Sequence, residues 1–250
     1  MERPKICVAG ACNLDLKGKD MDPNNASKLT GAEMAQYIDH TLLKPEANRA
    51  ALDKLCEEAI LHGFKAACVN SGWVGYVAEM LKGTNIAVCS VIGFPLGAMC
   101  FPAKAFEARR AVEDGAQELD MVLNIGSMKS GDLKAVEQDI QAVRLEANSP
   151  VVLKVIIETC LLTNNEKTTA CEIAQNAGAD FVKTSTGFST GGATVEDVIL
   201  MRKTVGPRMG VKASGGIKDF ETAAAMITAG ATRIGAGAGV AIVGGALKPS

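Results

Sequence analysis

The sequence predicts one (β/α)8 barrel, and three observations support this fold. From Lys28 onward, short β-branched apolar runs alternate with longer amphipathic stretches, as in parallel strands joined by helices. Several amphipathic stretches end at a glycine just before the next apolar run, as in Asp114-Gly-Ala and Ala229-Gly-Ala, and glycine tolerates a left-handed helix exit. The 250 residues suit a single α/β barrel, which commonly has about this length.

Eight strands and seven helices follow from this alternation. The strands are predicted at residues 38–42, 66–69, 87–92, 118–123, 152–157, 181–185, 210–214 and 233–235. The helices are predicted at residues 50–62, 71–82, 103–114, 133–147, 165–177, 195–205 and 220–229. Eight parallel strands close a barrel. The alternative is a doubly wound open sheet, which calls for a Gly-x-Gly-x-x-Gly turn that does not follow the first strand here.

The composition argues against two classes of partner. Lys and Arg number 26 against 28 Asp and Glu, a formal net charge of −2. Nucleic acids and membrane surfaces attract proteins with a basic surplus, so neither is an expected partner. No run approaches the ~20 apolar residues of a membrane span.

Cysteine and histidine usage predicts a reduced, cytoplasmic protein without a metal site. The eight cysteines are scattered and form no Cys-x-x-Cys pair, which favours free thiols in a chain with a large core. The two histidines, His40 and His62, are too few and too far apart in sequence to form a zinc site.

The first 28 residues do not match the barrel pattern. Their apolar run, residues 6–12, is too short for a secretory signal and does not support lipid attachment at Cys12. We therefore expect residues 1–28 to be an extension outside the core and residues 29–250 to be the barrel.

Four charged residues interrupt strands that are otherwise apolar. Asp120, Lys154, Lys183 and Lys212 lie in the fourth to seventh predicted strands, and the lysines are spaced evenly by 29 residues. Alternation along a strand sends their apolar neighbours outward and the charges into the barrel. The even spacing predicts one equivalent level on neighbouring strands for all three lysines.

This crowding predicts a lysine that loses its proton easily. A structural ion pair could explain one buried lysine, but a single carboxylate does not compensate three ammonium groups. Like charge and burial both lower a lysine pKa. Lys183, the middle member, is the expected neutral amine, and a neutral amine in an active site suggests Schiff-base chemistry with a carbonyl substrate.

Glycines follow the two strands after which barrels often bind phosphate. Gly215 and Gly216 follow the seventh strand, and a run that includes Gly235 and Gly237 follows the eighth. Glycine lets backbone N–H groups approach an anion closely, so a phosphorylated small-molecule substrate is expected.

Six segments together resemble the deoxyribose-phosphate aldolase family of class I aldolases on (β/α)8 barrels. They begin at Tyr37-Ile-Asp-His-Thr, Val91-Ile-Gly-Phe-Pro, Glu118-Leu-Asp-Met-Val, Leu153-Lys-Val-Ile-Ile-Glu-Thr, Phe181-Val-Lys-Thr-Ser-Thr-Gly-Phe and Val211-Lys-Ala-Ser-Gly-Gly-Ile, and the resemblance covers residues 28–243. It implies reversible cleavage of 2-deoxy-D-ribose 5-phosphate to acetaldehyde and D-glyceraldehyde 3-phosphate without a metal or organic cofactor. A homodimer and a homotetramer both stay open.

The resemblance also implies residue roles. Lys183 matches the Schiff-base lysine, Lys212 the lysine that lowers its pKa and relays protons, and Asp120 the proton donor and acceptor. Substrate-binding positions match Asp39, Thr41 and Cys68 at the barrel mouth, together with Lys154 and Thr186. Phosphate-binding positions match Gly187, Gly215, Gly216, Gly235 and Gly237.

Two departures and two rival functions qualify this assignment. Related sequences often carry Ser-Ser where this chain has Gly237-Ala238, and some end in a tyrosine that is missing here. The first rival is another Schiff-base barrel, such as a transaldolase. The second is a sugar-phosphate-binding protein that has lost catalysis, which is disfavoured because Lys183 and Asp120 are both present.

Overall fold

The computed structural model of the protein describes residues 23–246, which form a closed barrel of eight parallel strands. Each strand pairs with its neighbours in chain order, and β8 pairs with β1. The strands are β1 Ile38–Leu42, β2 Ala66–Val69, β3 Ala87–Ile92, β4 Glu118–Val122, β5 Val152–Ile156, β6 Phe181–Lys183, β7 Gly210–Ser214 and β8 Arg233–Ala236. The predicted fold class is confirmed.

The helices surround the barrel, and all seven predicted helices are present with ends shifted by a few residues. They are α1 Gly31–Ala35, α2 Arg49–His62, α3 Val74–Met80, α4 Phe101–Glu113, α5 Ile125–Lys129, α6 Leu133–Glu146, α7 Asn164–Asn176, α8 Val195–Val205, α9 Phe220–Thr228 and α10 Gly239–Gly244. The predicted helix 71–82 begins instead as a 3-10 turn, Ser71–Trp73, before α3. Within residues 23–246, no helix has the length and apolar character needed to cross a bilayer.

Three short helices were not predicted, because five or six residues are too few to show helical periodicity. Two of them, α1 and α5, begin at a local side-chain cap, whereas α10 has none. Thr30 begins α1 with a reciprocal capping box to Glu33, and the side chain of Asn124 accepts from Ser127 N at the start of α5. The predicted glycine exits are confirmed where they were expected; Gly63, for example, ends α2 at φ 64°.

Strand β6 is shorter than predicted and ends at Lys183. The next residue, Thr184, continues the contact with β7 partly through its side chain: its hydroxyl donates to Ser214 O and accepts from Ser214 N, both at 3.0 Å. The extended chain therefore goes on past the formal end of the strand, and Thr184 and Ser185 stay fully buried.

The interior of the barrel is divided into an apolar side and a charged side. A small apolar cluster occupies the side of β1 to β3 and consists of Leu43, Ala66, Cys68, Cys89 and Val91. The main apolar core lies outside it, between the strands and the helices. The inward side chains of β4 to β8 include the charged residues that form the site described below.

The last residues of the predicted N-terminal extension contact the barrel. Residues 23–28 form a 3-10 turn that packs against α9, and Ala26 is 2% exposed within the main core. Residues 1–22, with Cys7, Cys12 and the apolar run 6–12, and residues 247–250 lie outside the described part of the chain.

A buried ion pair holds the C-terminal end of β4 against the outer helices. Lys104 of α4 is fully buried, and its Nζ donates to Asp139 Oδ2 of α6 at 2.5 Å and to Val122 O at 2.9 Å. Burial lowers the pKa of Lys104 and raises that of Asp139. The ion pair between them opposes both shifts but does not cancel them. Val122 is two residues beyond Asp120, so this pair fixes the strand that carries the central carboxylate of the site.

We predict that Lys104→Met lowers the free energy of unfolding by about 3–5 kcal/mol, because it leaves Asp139 buried without its cation. Urea unfolding measures the change. On the same helix, Arg110→Met removes only exposed ion pairs to Glu113 and Asp114 and is expected to cost less than about 1 kcal/mol. Equal losses in the two variants would contradict a special contribution from the buried pair.

Candidate active site

Three lysine side chains converge on one carboxylate inside the barrel. Asp120 Oδ1 accepts from Lys154 Nζ at 2.9 Å, and Asp120 Oδ2 accepts from Lys183 Nζ and Lys212 Nζ, each at 2.7 Å. All four side chains are at most 3% exposed. The structure therefore brings these four side chains into contact inside the barrel, as the sequence predicts.

The predicted common level of the three lysines is only partly correct. Lys183 of β6 pairs in register with Lys212 of β7, but Lys154 of β5 pairs with Phe181. The residue of β5 that is in register with Lys183 is Ile156, two positions further along the strand. Even spacing in sequence does not guarantee equal register, because the loops and helices between strands differ in length.

The expectation that one carboxylate faces three lysines is wrong. Asp39 of β1 is fully buried and forms ion pairs with Lys212 and with Arg233 of β8. Glu118, at the start of β4, lies 2.6 Å from Lys154 Nζ and 2.7 Å from Arg233 Nη2. The interior thus holds two further carboxylates and a fourth cation.

Six of these groups form a closed ring of alternating charge, which we call the charge ring. In order around the ring they are Arg233, Asp39, Lys212, Asp120, Lys154 and Glu118, each in an ion pair with the next and the last with the first. Lys183 is attached to this ring only through Asp120. Opposite charges at such distances in a dry interior stabilise one another strongly.

The pKa directions favour the ionised forms of two ring carboxylates, Asp39 and Asp120. Burial would raise the pKa of Asp120, but the ammonium groups of Lys154, Lys183 and Lys212 hold it well below its ordinary value. The pKa of Asp39 is lowered in the same way, with burial opposed by Lys212 and Arg233.

The pKa values of the ring cations shift in the opposite direction. Burial would lower the pKa values of Lys154 and Lys212, yet Asp120 and the other nearby carboxylates raise both above the ordinary range. The pKa of Arg233 is raised by Asp39 and Glu118 against burial. All three cations therefore keep their protons at neutral pH.

Asp39 lies deeper than its predicted place at the barrel mouth. Its side chain is fully buried in the charge ring, and it pairs in register with Gly235. Thr41, two residues further along β1, is only partly buried, and its hydroxyl donates to Asp39 O at 2.8 Å. Of these two predicted substrate contacts, Thr41 is the nearer to the open end of the barrel.

Two thiols lie beside Asp120. Cys68 of β2 pairs in register with Cys89 of β3, and Cys89 Sγ donates to Asp120 Oδ1 at 3.3 Å. The adjacent thiol of Cys89 lowers the pKa of Cys68, whereas burial and the adjacent thiol of Cys68 raise the pKa of Cys89. Cys89 was not singled out from the sequence because a cysteine in an apolar run resembles any small core residue.

The ligating atoms of Cys68, Cys89 and Asp120 lie within 4.8 Å of one another, a spacing that a metal ion could use. Both oxygens of Asp120 already accept from lysine ammonium groups. A cation here would have to displace one of those ammonium groups.

Glu158 is a further residue of the site that sequence reasoning missed. It follows β5, is 3% exposed, and is the one non-glycine residue among residues 23–246 with a positive φ, 52°. Its carboxylate accepts from Thr186 Oγ1 at 2.5 Å and from Thr186 N at 3.3 Å. Strained backbone of this kind concentrates at functional sites, and here it fixes the segment that follows Lys183.

The loops after β6 and β7 contact each other through glycines. Gly187, Gly215 and Gly216 all have positive φ, between 82° and 88°. A β-carbon at Gly192 would lie 2.3 Å from Gly215 O, and Ala193 N donates to that same oxygen at 3.0 Å. Of the glycines predicted to bind phosphate after these strands, Gly187 and Gly215 therefore belong to one close-packed backbone surface, whereas Gly216 faces open space.

The two predicted glycines of β8 and its loop have different surroundings. A β-carbon at Gly235 would lie 2.9 Å from Lys212 Cε, so this glycine makes room for a lysine of the charge ring. A β-carbon at Gly237 would lie 3.1 Å from Thr41 O, which places Gly237 against β1 near the mouth.

Comparisons with known proteins agree with this geometry. The model of a protein family described as "DeoC/LacD family aldolase" matches residues 33–244. The chain belongs to this aldolase family. A deoxyribose-phosphate aldolase of Brevibacillus brevis is 62% identical over 85% of this chain and 96% of its own length. One from Streptococcus gordonii is 61% identical over the same shares.

Solved structures of the family share the fold. The tetrameric deoxyribose phosphate aldolase of Aeropyrum pernix aligns with a TM-score of 0.82 and 33% identity, covering 91% of this chain and 97% of that one. The family match begins after the 3-10 turn at residues 23–28, so that turn lies outside the part that defines this aldolase family.

We predict that the charge ring contributes its full stabilisation between about pH 4 and pH 10.5 and loses it progressively outside that range. The lowered pKa values of Asp39 and Asp120 contribute stability that is present above their ordinary value of 3.8 and lost as the pH falls below it. The raised pKa values of Lys154 and Lys212 contribute stability that is present below their ordinary value of 10.5 and lost as the pH rises through their raised values.

Urea unfolding between pH 2 and pH 12 tests this window. Asp120→Asn, which removes one titrating carboxylate, is expected to flatten the acid limb of the stability curve. An acid limb of unchanged slope in that variant would count against the ring as its cause.

Proposed function

We propose that this protein is a class I aldolase that reversibly cleaves 2-deoxy-D-ribose 5-phosphate into acetaldehyde and D-glyceraldehyde 3-phosphate. The observation that carries the proposal is the convergence of three lysines on Asp120, with Lys183 outside the charge ring. The 62% identical relative from Brevibacillus brevis bears the name of this activity.

Lys183 is the best-placed nucleophile of the three lysines. Among residues 23–246, Lys154 and Lys212 each contact two or more carboxylates, whereas Lys183 has an ion pair with Asp120 alone. An amine must be neutral to attack a carbonyl, and the lysine with the fewest carboxylate partners gives up its proton at the lowest cost.

In the cleavage direction, the neutral amine of Lys183 attacks the open-chain aldehyde carbon. Loss of water from the carbinolamine gives an iminium at C1 that withdraws electrons from the C2–C3 bond. Removal of the C3 hydroxyl proton, relayed to Asp120, then breaks this bond and releases D-glyceraldehyde 3-phosphate. The remaining enamine takes a proton, and hydrolysis frees acetaldehyde and Lys183.

Asp120 and Lys212 are placed to move the protons that these steps require. One oxygen of Asp120 lies 2.7 Å from both Lys183 and Lys212, so a proton can pass from one amine to the other through it. The low pKa of Asp120 means that it holds a proton only briefly. The raised pKa of Lys212 keeps that residue charged as a proton donor.

The remaining contacts are assigned to the substrate. Thr41, Cys68 and Lys154 line the barrel near the sugar hydroxyls, and Asp39 acts beneath them by holding Lys212. Thr186 is fixed by Glu158, and Gly187, Gly215, Gly216 and Gly237 offer backbone N–H groups to the phosphate. Gly235 contributes mainly by admitting Lys212.

A cytoplasmic homo-oligomer, either a dimer or a tetramer, completes the proposal. The described cysteines are all free, which suits a reducing compartment: Cys56, Cys68, Cys89, Cys100, Cys160 and Cys171. The Aeropyrum pernix relative is tetrameric. Light scattering of the purified protein distinguishes the two assemblies.

We predict that borohydride added with 2-deoxyribose 5-phosphate leaves a reduced adduct on Lys183, located by peptide mass spectrometry. Lys183→Met is expected to abolish the adduct and to lower kcat by about 10⁴-fold or more, as removal of a nucleophile does. An adduct on Lys154 or Lys212 would overturn the assignment. Preference for a dihydroxyacetone-type donor over acetaldehyde would instead favour a transaldolase-like activity.

Lys212→Leu is predicted to move the kcat/KM–pH profile about two pH units to the alkaline side. The variant removes a cation from the carboxylate that Lys183 shares, so Lys183 holds its own proton more tightly. A unit charge at ~5 Å and an effective dielectric of ~20 corresponds to a shift of this size. Lys212→Arg keeps the charge and is expected to keep most of the profile in place. A loss of rate with an unmoved profile would refute an electrostatic role for Lys212.

A further inference from the structure

The charge ring is neutral when all its members are ionised. Three cations alternate with three carboxylates around it. Lys183 adds a fourth cation without adding a carboxylate. The surplus of one positive charge therefore falls on the lysine that the proposed function makes the nucleophile.

We propose that Arg233 and Glu118 are positioning residues that close the charge ring and thereby make Lys183 the group that gives up its proton. The inference rests on the proposed function and assigns a task to two residues that the reaction itself does not use. Both lie at the first positions of their strands, β8 and β4, at the end of the barrel opposite the glycine loops.

Arg233 divides the carboxylate oxygens between itself and the lysines. Its Nη1 binds Asp39 Oδ1, which leaves Asp39 Oδ2 for Lys212. Its Nη2 binds Glu118 Oε1 at 2.7 Å, which leaves Glu118 Oε2 for Lys154 at 2.6 Å. The N–H groups of a planar guanidinium form a rigid fork, so Arg233 holds its two carboxylates at fixed angles.

The position of Arg233 is itself fixed. Its guanidinium lies 5.7 Å from the ring centre of Phe181, and the residue is 5% exposed. With Arg233 in place, Lys154 and Lys212 each have carboxylate partners besides Asp120. On losing a proton, either lysine would withdraw a cation from two or more carboxylates, whereas Lys183 would withdraw one from Asp120 alone.

Every strand of the barrel supplies a titratable or charged group that faces this cluster. Among residues 23–246 these groups are Asp39, Cys68, Cys89, Glu118, Asp120, Lys154, Lys183, Lys212 and Arg233. The thiols are uncharged when protonated, so the balance of charge is four cations against three carboxylates.

This balance gives the two positioning residues opposite effects. Removing the charge of Arg233 leaves three cations and three carboxylates, so Lys183 is no longer in surplus and holds its proton to higher pH. Removing the charge of Glu118 leaves a surplus of two, so Lys183 releases its proton at lower pH. Removing both restores a surplus of one.

The test uses the full-length protein with acetaldehyde and cyanoborohydride, and the rate of adduct formation on Lys183 is followed by peptide mass spectrometry from pH 5 to pH 10. Arg233→Met is expected to move the midpoint of this rate upward by about one pH unit, and Glu118→Gln to move it downward by a similar amount. The double variant is expected to return close to the wild-type midpoint. Arg233→Lys keeps the charge and is expected to move it much less than Arg233→Met.

The outcomes separate this inference from the proposed function. Shifts of Arg233→Met and Glu118→Gln in the same direction, or no shift in either, with the adduct still on Lys183, would overturn the inference and leave the function standing. An adduct on a lysine other than Lys183 in the wild-type protein would overturn the function. If Arg233→Met does not fold, Glu118→Gln decides alone, since it keeps the shape of the side chain: a lower midpoint supports the inference, and an unchanged or higher one overturns it.

Discussion

The carboxylate of Asp120 holds three ammonium groups within 2.9 Å in a part of the barrel that excludes solvent, and the site depends on this one interaction. Without a carboxylate at that point, three lysines on adjacent strands would repel one another, and their burial would cost several kcal/mol each. With Asp120 in place, the three ammonium groups converge on one shared carboxylate. They can still differ in protonation. The division of labour among them then follows from which carboxylates each lysine contacts besides Asp120.

The two sides of the interior make this arrangement stable. Small and apolar side chains fill the side of β1 to β3, while charges line β4 to β8, and Asp39 alone reaches the charged side from β1. The apolar cluster keeps water away from the ion pairs and so strengthens them. Glycine at position 235 leaves space on the same level for the long side chain of Lys212. Packing and electrostatics therefore specify the same set of rotamers.

The sequence predicts the barrel, its strands and the four central charges because each produces a local pattern: alternation, glycine exits, or a charge inside an apolar run. Glu118 and Arg233 produce no such local pattern. Each stands at the first position of its strand, where a charge usually reaches solvent, and only the folded chain reveals that Arg233 meets Asp39 from 194 residues away. The deep position of Asp39 was also missed, because its ion-pair partners are far away in the sequence. Glu158 was missed because no local rule predicts a glutamate in the left-handed region. The offset of Lys154 depends on strand register, which the even spacing of the lysines in sequence does not reveal.

The ion pairs of Asp39 join the first strand of the barrel to the last two. Asp39 lies 173 residues before Lys212 and 194 before Arg233, so its partners are the last parts of the barrel to leave the ribosome. Contacts of such long sequence separation form late, after the entropy of closing the chain has been lost. Until β8 docks, the early strands hold a carboxylate without its cations, which disfavours a half-closed barrel that buries this residue. The ion pairs of the active site therefore form only when the barrel closes. A chain that has not paired β8 with β1 has no assembled site and is not yet catalytically competent.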